Sequence, residues 1–269
     1  MSPQEESNTM ADLTSVLITG ASTGIGATYA DRFARRGHDL VLVARDAARM
    51  ETLAARLRAE TGVTVDVLPA DLTRPDDLAA VEHRLREDTR IGILLNNAGA
   101  ALSGPFIAQP IDDVTRLITL NTTALARLAS AAAPRLAAAG TGAIVNISSV
   151  VGLAPEFGMS VYGATKAFVL FLSQGLSLEL GPKGVYVQAV LPSATKTEIW
   201  GRAEIDAPGP MMEVGALVDA ALSGFDRRET VTIPALHDAA QWDVYQAARQ
   251  AMLPGFSQVI PAERYLAIA

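Results

Sequence analysis

A doubly wound α/β fold, a single-domain Rossmann-like parallel sheet with helices on both faces, follows from three features of this 269-residue sequence. Short apolar runs alternate at least six times with longer amphipathic stretches. The connectors between them are short and polar or glycine-bearing. The runs themselves are unbroken, as strands buried on both faces require. Such an order implies parallel strands joined by right-handed helical crossovers.

The elements can be justified in turn. Val16–Thr19 reads as the first strand, and Gly24–Arg36 as a helix with Tyr29, Ala30 and Phe33 on one face and Arg32, Arg35 and Arg36 on the other. Leu40–Val43 is the second strand, Ala47–Glu60 a helix capped by Asp46, and Val63–Leu68 the third strand. Asp76–Glu87 is a charged amphipathic helix, followed by the strand Ile91–Leu95. A long alanine-rich helix around Thr122–Ala139, the strand Ala143–Ile147, the helix Val161–Leu180 and the strand Val185–Val190 complete the regular pattern. The alternation breaks after Pro192, and residues 193–212 read as a loop or short-helix excursion. Beyond it, Glu213–Ser223 resumes as helix and Val231–Ile233 as a short final strand. Residues 1–12 read as a disordered tail and 13–269 as one domain, because a chain of this length can bury a single large core.

Composition excludes several chemistries. The chain has no cysteine, so disulfides, thiolate metal sites and a cysteine nucleophile are ruled out. Its three histidines, His38, His83 and His237, share no ligand-like spacing, and no metal site is expected. With 22 basic against 29 acidic side chains the net charge is −7, which disfavours nucleic acid as a partner. The longest apolar stretch is far short of the ~18 residues of a membrane span. The first dozen residues lack the apolar core of a secretory signal. A cytoplasmic location is expected.

Thr19-Gly20-Ala21-Ser22-Thr23-Gly24-Ile25-Gly26 links the first strand to the first helix. Glycines let backbone approach a pyrophosphate, and the helix N-terminus offers free N–H groups and a favourable dipole. Three glycines at that spacing arise by chance roughly 0.1 times per chain of this size, so position after the first buried strand carries the reading. The second strand ends Ala44-Arg45-Asp46, with Arg where an acid would hold an adenosine ribose diol. Arg45 can instead face a 2′-phosphate, which favours NADP(H) over NAD(H). Ser22 and, one helical turn on, Arg49 are plausible helpers.

Tyr162 and Lys166 stand one helical turn apart, on one face, in a chain with only three lysines. A phenol with an ordinary pKa of ~10 is a poor acid–base catalyst near neutrality, and a neighbouring cation is expected to lower it. Ser149 follows the strand Ala143–Ile147, at the carboxyl edge where open α/β sheets place their sites, and its hydroxyl could bind a carbonyl oxygen.

Taken in order, the glycine turn Thr19–Gly26, Asp71, Asn96-Asn97-Ala98-Gly99, Asn121, Ser149, Tyr162 and Lys166 resemble the short-chain dehydrogenase/reductase family over nearly the whole chain. The resemblance implies an NAD(P)-dependent enzyme acting on CH–OH and C=O groups, with Tyr162 as general acid or base and Lys166 binding the nicotinamide ribose. It implies Ser149 on the substrate oxygen and Asn121 anchoring a water that relays protons to Lys166. A helix N-cap is the alternative for Asn121. Asp71 and Leu72 would contact adenine, and Asn97, Ala98 and Gly99 would shape the cofactor cleft. Pro192, Thr195 and Thr197 fall where the family flanks the nicotinamide, but Ser193 replaces its usual glycine and puts the backbone path there in question. The resemblance also implies dimers or tetramers formed through the long helices and C-terminal segment, and a homotetramer is expected here.

Val151, Leu153, Phe157, Met159, Trp200, Met211 and Met212 would give an apolar substrate wall, suited to a small or apolar ketone or secondary alcohol. Reduction of a 3-oxoacyl group on an acyl-carrier protein ranks second, because Leu136–Gly142 lacks basic residues. A non-catalytic NADP-binding sensor would have no need of Asn121, Ser149, Tyr162 and Lys166 together.

Overall fold

A computed structural model describes residues 15–102, 104–203 and 209–266. The expected N-terminal tail and part of the 193–212 excursion lie outside them. In chain order the elements are β1 (Ser15–Thr19), α1 (Gly24–Arg35), β2 (Asp39–Ala44), α2 (Ala47–Thr61), β3 (Val65–Pro69), α3 (Pro75–Glu87) and β4 (Ile91–Asn96). Then come α4 (Ile111–Ile118), α5 (Leu125–Ala139), β5 (Ala143–Ile147), α6 (Ser160–Leu180), β6 (Tyr186–Val190) and α7 (Ile199–Arg202). Last are α8 (Val214–Asp226), β7 (Val231–Thr232) and α9 (Ala240–Ala251). The residues group into two units, and the chain passes from one to the other between Pro234 and Ala235. The first holds the whole sheet, and the second contains α9, none of whose residues is buried.

All seven strands are parallel, in the order β3-β2-β1-β4-β5-β6-β7. The chain winds outward from β1 to β3, then returns to β4 on the other side of β1. The helices leaving β1 and β4 therefore part to opposite faces, opening a crevice at the carboxyl ends of those two strands. Side chains alternate across the sheet. Val16, Ile18, Leu40, Leu42, Ile93 and Val145 pack under α1, α2 and α8. Leu17, Val41, Leu94, Ile144 and Val187 pack with α3, α5 and α6. Two apolar layers thus clamp a sheet that has no wet face, which accounts for its unbroken apolar strands. The small Ala131 and Ala132 of α5 belong to the second layer, so the alanine-rich stripe serves the protein's own core.

Two departures from the sequence reading matter. Asp46 caps α2 as expected, accepting from the Arg49 N–H at 3.0 Å. The long helix does not begin at Thr122, however. It is preceded by α4 and by a π-helical segment, Thr119–Ala124, with Ile118 and Leu125 still helical on either side. The signal for α4 was present in Pro110, the acidic first-turn Asp112 and Asp113, and the buried pair Val114 and Leu117. Five β-branched residues among Thr115–Thr123 masked it by lowering helix propensity. The helix α9 was also unassigned from sequence.

Candidate active site

A cavity of about 1560 Å³ opens along the carboxyl edge of the sheet. Its floor is built by stitching the end of β1 to the end of β4. The Thr19 hydroxyl accepts from the Asn97 and Ala98 N–H groups, each at 3.0 Å. The Asn97 amide donates to the Thr19 and Gly20 carbonyls at 2.8 and 3.2 Å. Gly20 turns the chain with φ 66°, and a Cβ there would lie 2.9 Å from the Ala98 Cα. Only glycine serves both demands.

Gly20, Ser22, Thr23, Gly24 and Ile25 line the cavity, with Asn97, Ala98 and Gly99 opposite. Gly26 does not. Its Cα faces inward, where a methyl would overlap the Gly20 carbonyl oxygen, so its role is to seat α1 on the turn rather than to meet a ligand. The N-cap Thr23 makes no side-chain capping bond, and the first turn of α1 carries no acidic residue. An uncapped helix N-terminus facing a glycine-lined cavity fits an anionic pyrophosphate.

At the next strand ends, Arg45 is exposed, lines the cavity and forms no ion pair among the described residues. Arg49 is committed to Glu198 and Asp46. Leu72 is buried beneath the same wall. Partial burial pushes the Asp71 carboxyl up, but hydrogen bonds from Thr73 and the charges of Arg45 and Arg74 outweigh it, and its pKa is lowered.

The residues named from sequence for chemistry come together at the other end. Tyr162 and Lys166 lie on the first turns of α6, the Lys166 ammonium 5.7 Å from the centre of the Tyr162 ring. Lys166 Nζ donates to the Ile147 carbonyl at 2.9 Å. The Ser149 hydroxyl donates to the Pro192 carbonyl at 3.3 Å and accepts from the Val151 N–H at 3.2 Å. The Ser149 hydroxyl also lies close enough to the phenol to act on its pKa. Gly99 explains how close the group can be. A Cβ at that position would stand 3.3 Å from Asn121 Oδ1 and 3.5 Å from Lys166 Nζ.

The expected lowering of the Tyr162 pKa is not found. Burial pushes the phenol up to about 12, with the nearby Ser149 hydroxyl opposing that rise. Burial also pulls Lys166 down to about 8. The ammonium sits over the ring and bonds a carbonyl, so desolvation of both groups outweighs their attraction.

Asn121 is neither an N-cap nor part of the cavity lining. It lies within the π segment, where its Oδ1 accepts from Ala100 N and its Nδ2 donates to Ala100 O and Thr165 Oγ1, all at 3.0 Å. Its side chain is therefore engaged in fixing the Gly99–Ala100 loop after β4 against α6.

Ser193 follows its glycine-like path without strain. Among the described residues the only non-glycine with positive φ is Arg228. Pro192 and Ser193 supply carbonyls to Ser149 and to the buried Thr195, while Thr197 packs over Gly24. Of the expected substrate wall, Val151, Met159 and Trp200 line the cavity, whereas Leu153, Phe157, Met211 and Met212 do not. Leu153 closes a 3₁₀ turn, and Phe157 faces solvent. Their places are taken by a stretch the sequence reading passed over, including Leu102, Ala108, Leu117 and Leu120. The apolar Ala100–Leu102 directly after Asn96–Gly99 was the available signal.

A doubly wound sheet with a phosphate-ready turn and a Ser–Tyr–Lys group at its carboxyl edge defines a dinucleotide-dependent oxidoreductase. Residues 14–207 match the family model of the short chain dehydrogenases. A short-chain dehydrogenase from Sphingobium yanoikuyae, solved in complex with NADPH, is 70% identical, with TM-score 0.93 over 94% of this chain and all of that one. The bulky-bulky ketone specific alcohol dehydrogenase from Comamonas testosteroni is 61% identical, with TM-score 0.89 over 95% of this chain and all of that one. Among curated relatives, the very-long-chain 3-oxoacyl-CoA reductase-A of Danio rerio is 35% identical over 74% of this chain, which spans 64% of that relative's length. The chain belongs to the short-chain dehydrogenase/reductase family.

Proposed function

We propose that this protein is an NADP(H)-dependent reductase of ketones, and in reverse a dehydrogenase of secondary alcohols, whose substrate bears bulky apolar groups on both sides of the carbonyl. The observation that carries this reading is the convergence of Ser149, Tyr162 and Lys166 beside an apolar wall in a cavity whose other end is an uncapped helix N-terminus. The nicotinamide, when bound, supplies or accepts the hydride. The Ser149 hydroxyl turns from the Pro192 carbonyl to donate a hydrogen bond to the substrate carbonyl oxygen, and the Tyr162 hydroxyl gives that oxygen its proton as the alcohol forms. In oxidation the phenolate takes the proton back. Lys166 holds the ribose hydroxyls and stabilises the phenolate, with its own charge brought out of solvent. A water relayed to Lys166 would be held by the Asn121 main chain, since the side chain is occupied.

Gly20, Ser22, Thr23, Gly24 and Ile25 hold the pyrophosphate in this reading, Asp71 and Leu72 the adenine end, and Asn97, Ala98, Gly99, Pro192, Thr195 and Thr197 the nicotinamide half. Preference for NADP(H) rests on the exposed Arg45 and the absence of an acid at Ala44, and is supported by the NADPH in the Sphingobium relative. Substrate bulk rests on Val151, Met159, Trp200, Leu102 and Leu117, and is supported by the description of the Comamonas relative. Acyl-thioester reduction has the weaker support, from relatives at 35% identity. A cytoplasmic homotetramer completes the reading. No described helix is long and apolar enough to cross a membrane. Ile111, Ile118, Phe168, Phe171 and Leu178 leave apolar side chains exposed on α4 and α6.

NADPH oxidation with a panel of aryl and alkyl ketones tests the proposal. Tyr162→Phe should lower kcat by about 10²–10⁴ while NADPH still binds. Normal turnover by that variant removes the mechanism.

A further inference from the structure

One carboxylate ties three walls of the cofactor end together. Arg49, in the first turn of α2, directs Nη1 at both oxygens of Glu198, at 3.0 and 2.9 Å. Arg202 of α7 donates from Nη2 to Glu198 Oε2 at 2.6 Å and to the Thr23 hydroxyl at 3.2 Å, beside the glycine turn. Arg49 also lies 3.4 Å from Asp46. All of these side chains line the cavity. Thr197, the neighbour of Glu198, lies over Gly24, so this segment roofs the turn. The two arginines nearest the adenosine end are therefore unequal: Arg45 has no ion pair among the described residues, and Arg49 is occupied by an anion from the chain itself.

A phosphate monoester carries nearly two charges and three acceptor oxygens, and so outcompetes a carboxylate for a guanidinium. We propose that Glu198 stands in for the 2′-phosphate on Arg49, so that cofactor binding is an anion exchange that releases Glu198. This rests on the NADP(H) reading above and extends it to a second, guarded phosphate-binding arginine. The release reaches the substrate side. Glu198 directly precedes α7, which carries Trp200 of the apolar wall, held by its indole N–H on the Thr195 carbonyl at 2.7 Å. A dinucleotide without the 2′-phosphate gives Arg49 no replacement partner and leaves the clasp shut. Glu198 is thus a selectivity and positioning residue rather than a catalytic one.

The test uses ligands that need no turnover: adenosine 2′,5′-bisphosphate, and AMP, which lacks the 2′-phosphate. Binding is followed by calorimetry and by indole emission in a Trp242→Phe background, which leaves Trp200 as the sole tryptophan. The bisphosphate, but not AMP, should shift Trp200 emission. Glu198→Gln should bind the bisphosphate about three- to fivefold tighter at low salt, the span expected of an exposed ion pair, with AMP unchanged. That gain should vanish in Glu198→Gln/Arg49→Ala relative to Arg49→Ala. No gain, an equal gain for AMP, or a gain that survives without Arg49 overturns the exchange and leaves the NADP(H) reading standing. If the unsubstituted protein binds both ligands alike and Arg45→Ala weakens neither, the NADP(H) reading falls and the exchange with it.

Discussion

Lys166 is held in a setting that water would not choose for it. Its ammonium is buried, with a carbonyl and a ring face for company, and burial draws its pKa down to about 8. In the unfolded chain the same group titrates near 10.5. Between these values the unfolded state binds more protons than the folded one, so this residue makes stability rise with pH from about 8 to 10.5. Below 8 both states are charged, and the folded state carries the full desolvation penalty. The urea midpoint of the protein minus that of Lys166→Met should therefore climb across this window, by on the order of 3 kcal/mol in stability. A flat difference would show that the ammonium is solvated. Tyr162 works in the opposite sense, since its raised pKa favours the folded state until the pH passes the ordinary phenol value near 10. Burial thus disfavours the charged form of both groups, the phenolate and the ammonium alike.

At the scale of elements, the glycine turn and α1 form a joint with no spare volume. Gly26→Ala would drive a methyl into the Gly20 carbonyl and the Asn97 amide, both backbone-anchored. The helix must then lift from the turn, and we expect a loss of about 1–3 kcal/mol in denaturant stability together with weakened NADPH binding. Retention of both would mean that α1 slides at little cost. The π segment is a second joint. By inserting Asn121 where a regular helix would have carried it past, it lets one amide satisfy both backbone groups of Ala100 and the Thr165 hydroxyl. The helix of the first joint shows in its own side-chain periodicity, whereas the π segment is held by a partner far along the chain, which is why α1 was readable and the π segment was not.

At the scale of the whole molecule, α4 and α6 carry five of the large apolar side chains that the sheet-bearing unit leaves exposed: Ile111, Ile118, Phe168, Phe171 and Leu178. Phe171 and Leu178 of α6 are 78% and 80% exposed. Aspartate at Phe171 should lower the assembly state measured by light scattering, with little effect on the far-UV spectrum of the subunit. An unchanged mass removes this face as the assembly surface. The C-terminal unit, with Val259 and Ile260 also exposed, has its own apolar surface.

Strand runs, amphipathic helices, the glycine turn and the order Ser149, Tyr162, Lys166 were legible in the amino-acid sequence because each rests on spacing within a few residues or on one kind of side chain. Tyr162 and Lys166 had to share a helix face once α6 formed. What that face would do to their protonation was a different matter, since desolvation is set by everything packed around them. The opposite wall of the cavity, the engagement of Asn121 and the clasp of Arg49 on Glu198 all join residues far apart in the chain, the last pair 149 positions apart. Local pattern determines which elements form and which groups are available to them. Only the winding of the sheet, which brings six strand ends to one crevice, decides which of those groups meet and which charges they must bear out of water.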